Sequence, residues 1–116
     1  MKVDMFFKLA DELLDECKEI QILKGREYTI DDGTDSVDKF ENFKSIGKRL
    51  KLDPKIILMV YLLKHIDSIT TFVLYGKKGT EGTKGRIQDS INYLTMLHGL
   101  IEEEKKDGLL VNVLKK

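Results

Sequence analysis

Cysteine is nearly absent from this chain: Cys17 is the only one in 116 residues, so no intramolecular disulfide can form. It falls within a helical pattern, where a buried structural thiol is the favoured reading. One cysteine and two histidines cannot supply four zinc ligands without carboxylates. Net charge is absent too. The 20 basic and 20 acidic residues cancel, which leaves no global field to draw in nucleic acid, so any anion site must be local. Long hydrophobic runs are also missing: the longest, Ile56 to Leu63, is too short to span a bilayer, and the residues after Met1 lack the apolar run of a signal peptide. The expectation is a cytoplasmic protein with neither a membrane nor a nucleic acid as partner.

Proline occurs once, at Pro54, and the chain is 41% hydrophobic and 34% charged, inside the globular class and far from the disordered one. Its length suits one domain with one core. Apolar residues recur at helical spacing. Phe6, Leu9, Leu13, Cys17 and Ile20 predict a helix over about 4–24, capped by Asp4 and ended by Gly25. Residues 26–35 are rich in turn formers and read as a long loop, a place where function often resides. A second helix over about 36–50 would face Val37, Phe40, Phe43, Ile46 and Leu50 inward. Asp53-Pro54 then marks an N-cap followed by proline at the first helical position. The third helix, about 54–75, is apolar nearly all round at Ile56 to Leu63, as a central helix would be. Gly76, Gly79, Gly82 and Gly85 predict a hydrophilic connection to a fourth helix over about 83–105, with Ile87, Ile91, Leu94, Leu97 and Ile101 as its buried stripe. After Gly108 the run Leu109 to Leu114 is a short β-prone apolar tail that would pack on the helices or pair with another subunit. The fold class is therefore all-α: a single four-helix bundle-like domain, with a long loop after helix 1 and a short apolar tail, in a homo-oligomer.

Two of these helices carry charges inside a core-forming pattern. Lys64 and Asp67 share a stripe with Val60 and Thr71, and Arg86 and Asp89 share another with Tyr93 and Met96. The strings Asp67-Ser68-Ile69 and Asp89-Ser90-Ile91 echo one another, with His65 and Asn92 beside them. These charges either form structural bridges between the helices or line a polar pocket, where Lys64 and Arg86 would meet phosphate and Tyr93 would stack on a base. Lys24-Gly25-Arg26-x-Tyr28 and Asn42 are further ligand candidates, although Lys24 and Arg26 also suit an ordinary helix C-terminus. Glu12, Glu16 and Glu19 run along one edge of helix 1. They either converge on a divalent metal such as magnesium or form a solvated acidic face. No catalytic residue is assigned: there is no nucleophile elbow, Cys17 falls on the core face, and the glycines near Lys84 do not make a phosphate loop.

Four strings taken together suggest a family: Lys24-Gly25-Arg26-x-Tyr28; Glu41-Asn42-Phe43-Lys44-x-Ile46; Tyr61-Leu62-x-Lys64-His65-Ile66-Asp67-Ser68-Ile69; and Gly85-Arg86-Ile87-x-Asp89-x-Ile91-Asn92-Tyr93-Leu94. Over roughly residues 5–105 the chain resembles the small phage and prophage proteins of the nucleotide modification associated domain type. These in turn are similar to the all-α MazG-like nucleotide pyrophosphohydrolases. The resemblance implies a helical oligomer in the host-cell cytoplasm that handles a nucleotide or a nucleotide-derived signal. The MazG-like enzymes hold magnesium with Glu-x-x-Glu and Glu-x-x-Asp pairs on two helices. Glu16-x-x-Glu19 matches the first pair, but Lys64-x-x-Asp67 and Arg86-x-x-Asp89 place a cation where the second needs an acid. A cation there removes a ligand and repels the metal, which favours binding or sequestering a nucleotide over hydrolysing it. The alternative is a protein-interaction module, such as a phage inhibitor of a host defence enzyme, suggested by small size, zero net charge and the apolar tail.

Overall fold

The computed structural model describes residues 1–28, 38–77 and 82–115, with side chains described for 1–24, 38–77 and 82–107. The described residues are all-helical: α1 (Val3–Tyr28), α2 (Glu41–Leu50), α3 (Pro54–Tyr75) and α4 (Gly82–Lys115).

α3 begins and ends where its sequence signals lie. The Asp53 side chain accepts from the Lys55 backbone N–H at 2.9 Å, Pro54 takes the first helical position, and Gly76, left-handed at φ 68°, donates its N–H to Phe72. The other boundaries differ from expectation. α1 passes through Gly25 to Tyr28, because one interior glycine costs only about 1 kcal/mol and Arg26 and Glu27 are adequate helix formers. Arg26 and Tyr28 thus lie on helix backbone rather than in a loop. α2 starts at Glu41, after a turn in which Asp38 Oδ1 accepts from the Phe40 N–H at 2.9 Å; Ser36 and Val37 lie outside the described residues. Gly108 does not stop α4 either: the segment expected to be a β-prone tail continues as helix to Lys115.

α4 is the axis of the packing. α3 lies antiparallel on it, as Lys55 Nζ–Glu104 and His65–Asp89 show; α2 packs on α3, and the C-terminal half of α1 runs parallel to the start of α4. A small core of Phe43, Ile57, Leu58 and Leu100 sits where α2, α3 and α4 meet. Gly99 makes this possible, since a Cβ there would lie 2.7 Å from the ring of Phe40.

Two expected faces are not the buried ones. On α3 only Ile57, Leu58 and Leu62 are buried, while Ile56, Val60 and Leu63 are exposed, so the helix is covered on one side rather than several. By length and composition alone α3 is also apolar enough to cross a membrane. On α4 Ile87 and Leu94 are exposed, and Gln88, Asp89, Ser90 and Asn92 are buried in their place. The reason is position: α4 is flanked by α1 and α3, so its inward arc is the polar stripe between them.

Candidate functional site

That buried polar stripe has partners. Asn92 Nδ2 donates to the carbonyl of Cys17 at 2.9 Å, and Gln21 Nε2 reaches Thr95 Oγ1 at 2.6 Å and Asn92 Oδ1 at 3.3 Å. Gln88 Nε2 donates to Glu16 at 2.6 Å, and the same carboxylate takes the Lys84 ammonium at 2.9 Å. Side-chain amides thus knit α1 to α4, which satisfies polar groups that burial would otherwise penalise by about 1–3 kcal/mol each. Cys17 lies within this seam, 3% exposed, and burial pushes its thiol pKa up, with the charges of Glu16 and Asp89 adding to the rise. It is a packing residue rather than a nucleophile.

Asp89 is the centre of the site. One carboxylate oxygen accepts from Lys24 Nζ of α1 at 2.9 Å, and the other faces His65 Nε2 of α3 at 3.1 Å. His65 Nδ1 in turn lies 2.9 Å from the carbonyl of Tyr61. Both ring nitrogens thus face oxygen atoms, which fixes the orientation of the ring. Around it stands an aromatic wall. Tyr61 and Tyr93 lie parallel, 8° apart with ring centroids separated by 6.2 Å, His65 meets Tyr93 edge-on at 5.3 Å, and Phe43 meets Tyr61 edge-on at 6.1 Å.

These groups line a cavity of about 420 Å³, within the usual span of small-molecule sites. Seven ligand candidates expected from sequence converge there: Lys24, Asn42, His65, Arg86, Asp89, Asn92 and Tyr93. The predicted stripe of Arg86, Asp89, Tyr93 and Met96 lines it in full. Lys64 and Asp67 do not take part. Both are exposed on the opposite side of α3, because the residue α3 turns toward α4 is His65, one position on from Lys64. The side chains of Arg26 and Tyr28 lie outside the described residues. The acidic edge of α1 does not gather: Glu12 and Glu19 are exposed, and Glu16 is held by Lys84 and Gln88. The Lys84 contact holds the Glu16 carboxyl below its ordinary pKa. Among the described residues no three His, Cys, Asp or Glu side chains come together in a way that could hold a metal.

Three polar lining residues were not expected. Gln21 and Tyr61 resemble core-edge residues on their helices, and only the i, i+4 relation of Tyr61 to His65 hinted at a shared face. Lys39 lies in a segment expected to be the first turn of helix 2, and nothing in the string distinguishes it from other surface lysines. In the fold its ammonium reaches Gln21 O at 3.4 Å, no carboxylate pairs with it among the described residues, and desolvation lowers its pKa. Among the described residues the cavity therefore carries Lys24, Lys39 and Arg86 with one carboxylate, Asp89.

No protein-family model, no curated protein and no solved structure matches this chain.

Proposed function

We propose that this protein binds a nucleotide or nucleotide-derived signal in the cavity between α1, α3 and α4, as a binder or sequestering protein rather than a hydrolase. The observation that carries the reading is the convergence, among the described residues, of Lys24, Lys39 and Arg86 on the cavity that the stacked Tyr61–Tyr93 pair also lines. Lys39, Lys24 and Arg86 would take the phosphate, since charge-assisted hydrogen bonds to an anion are roughly twice as strong as neutral ones. The Tyr61–Tyr93 pair offers a π-face to a base, and Asn42, Asn92 and Asp89 offer donors and acceptors for its edge or its sugar. A metal is not required to neutralise the phosphate, because the fixed cations supply the charge.

A thermal-shift screen tests the reading. Nucleoside mono-, di- and triphosphates, cyclic nucleotides and dinucleotides are presented with and without magnesium. A ligand at a hundred times its Kd stabilises by about 2.7 kcal/mol. Stabilisation without magnesium, lost in Arg86→Gln, is the expected result. No shift with any nucleotide would sink the proposal, and product release in the presence of magnesium would convert the binder into an enzyme.

A second reading, an interaction module such as an inhibitor of a host defence enzyme, draws support from the exposed apolar residues of α1 and α3, among them Phe6, Phe7, Val73 and Leu74. Its mark is a stable hetero-complex that forms equally well when the cavity residues are replaced.

A further inference from the structure

α1 meets α4 only with its second half. The pairs between them begin at Glu16–Lys84, at the third residue of α4, so residues 3–13 project about 16 Å past the start of that helix. The face that buries Cys17 nevertheless continues outward: Val3, Phe7, Ala10, Leu14, Cys17 and Gln21 alternate at steps of four and three, a continuous seam of the kind that packs helix on helix. Along its outer half the seam is uncovered, with Val3 72%, Phe7 60% and Leu14 53% exposed, and Phe6 flanks it edge-on to Phe7.

We propose that a second copy of this chain covers this seam, α1 lying antiparallel against the partner's α1. Three observations select that occupant. The first is shape. Antiparallel pairing of the seam about a twofold axis between Lys8 and Leu9 sets Phe7 over the partner's Ala10 and Val3 over the partner's Leu14, and the reverse, so each large side chain meets a smaller one. Parallel pairing would set Phe7 on Phe7 and leave Ala10 facing Ala10. The second is charge. Residues 1–8 carry Lys2 and Lys8 with Asp4, a net side-chain charge of +1, whereas residues 11–19 carry Asp11, Glu12, Asp15, Glu16 and Glu19 with Lys18, a net charge of −4. An antiparallel pair brings the basic end of one helix to the acidic end of the other and opposes their dipoles, whereas a parallel pair would align the acids. The third is area. The chain exposes 9131 Å², against about 6,500 Å² for a compact monomer of this mass. Its radius of gyration is 17.2 Å, against about 13 Å for a compact chain of this length. A standard interface needs about 800 Å² from each partner, and the surplus, shared between the exposed apolar residues of α1 and α3, leaves room for it.

The interface is independent of the cavity, since none of these seam residues except Leu14, Cys17 and Gln21 lies near α4 and only Gln21 lines the cavity. Sedimentation equilibrium of the whole chain at high micromolar concentration should give twice 13.4 kDa, and Phe7→Asp should reduce the mass to 13.4 kDa with the helical circular-dichroism signal kept. Ala10→Phe should weaken the dimer at least tenfold, by placing Phe against Phe, and adding Phe7→Ala should restore it, because the swap returns one large and one small residue to each contact. A wild-type monomer would overturn the proposal. So would a dimer that survives Phe7→Asp, or a Phe7→Ala, Ala10→Phe double variant no tighter than Ala10→Phe alone, either of which would assign the face to a different partner or a different register.

Discussion

Asp89 Oδ1 lies 2.9 Å from Lys24 Nζ, and through its other oxygen, 3.1 Å from His65 Nε2, the same carboxylate joins α1 to α3 across α4. These helices have few other direct ties, so Asp89 is the hinge pin of the cavity. Asp89→Ala should destabilise the fold by about 2 kcal/mol, the usual loss when a buried charged hydrogen-bond partner is removed. Lys24→Ala should cost less, because that ammonium is half exposed and screened by solvent. Urea unfolding of the two variants checks the order. If Lys24→Ala proves the more damaging, the link to His65 is not what holds the site.

The response to pH follows from where the surface ion pairs sit. Lys44 bridges Asp38 and Glu103, and Lys55 bridges Asp53 and Glu104. Desolvation works to raise the Asp38 pKa, but the Lys44 and Phe40 hydrogen bonds outweigh it, so the net shift is downward. Lys55 lowers Asp53 in the same direction, chiefly through its side-chain hydrogen bond. The carboxylates raise both lysines, Asp38 first for Lys44 and Glu104 first for Lys55. A carboxyl with a depressed folded pKa adds stability above its unfolded value, near 3.8 for Asp, which is lost as pH falls through the folded one. A lysine with an elevated pKa adds stability below 10.5 that is lost as pH rises beyond it. The urea midpoint should therefore stay level between about pH 5 and pH 9 and fall on both sides. Asp38→Asn should flatten the acid limb; an unchanged limb would show that Asp38 is not part of it.

How far all this could be read from the string depends on the reach of each signal. Local signals were legible. Asp53-Pro54 and Gly76 delimit α3 because caps depend on neighbouring residues alone, and the Arg86, Asp89, Tyr93, Met96 stripe follows from helical geometry. What the string could not convey is which arc of a helix meets which neighbour. Ile87 and Leu94 looked like the inward face of α4, yet the inward arc is set by α1 and α3 lying on either side, so Gln88 and Asn92 are buried instead. The same ambiguity of about one residue placed Lys64 beside His65 among the candidates, although only His65 reaches the cavity. Lys39 was invisible for a different reason: the contact that places it, with the Gln21 carbonyl of α1, is distant in sequence.

Backbone geometry at the end of α2 makes a pair of opposed predictions. Lys51 adopts a left-handed conformation, φ 58° and ψ 44°, where a side chain is strained, and Gly47 packs so closely that an added Cβ would stand 2.6 Å from the Leu52 carbonyl oxygen. Lys51→Gly should raise stability by about 1 kcal/mol. Gly47→Ala should lower it by about 2 kcal/mol, because the obstacle is backbone and the helix-propensity gain of alanine offsets only part of the clash. Thermal melts of both variants settle it; a stabilised Gly47→Ala protein would mean that the α2–α3 turn can open.

Lys39 separates a ligand site from a structural one. Its ammonium pays for desolvation with no carboxylate beside it among the described residues, and its pKa is lowered accordingly. A lysine whose folded pKa lies below its unfolded 10.5 imposes a constant cost at neutral pH, relieved only as pH climbs through the folded value toward 10.5. Removing the charge should then leave stability unchanged or slightly higher, the effect being small because the residue as a whole stays exposed. Binding should respond in the opposite sense. A phosphate supplies a counter-charge that no described residue gives Lys39, so Lys39→Met should weaken nucleotide affinity about tenfold to a hundredfold, the worth of one charged hydrogen bond. Calorimetric titration of the wild type and Lys39→Met, beside their melting temperatures, reads both. A destabilised variant with unchanged affinity would assign Lys39 to the fold and take the phosphate away from this end of the cavity.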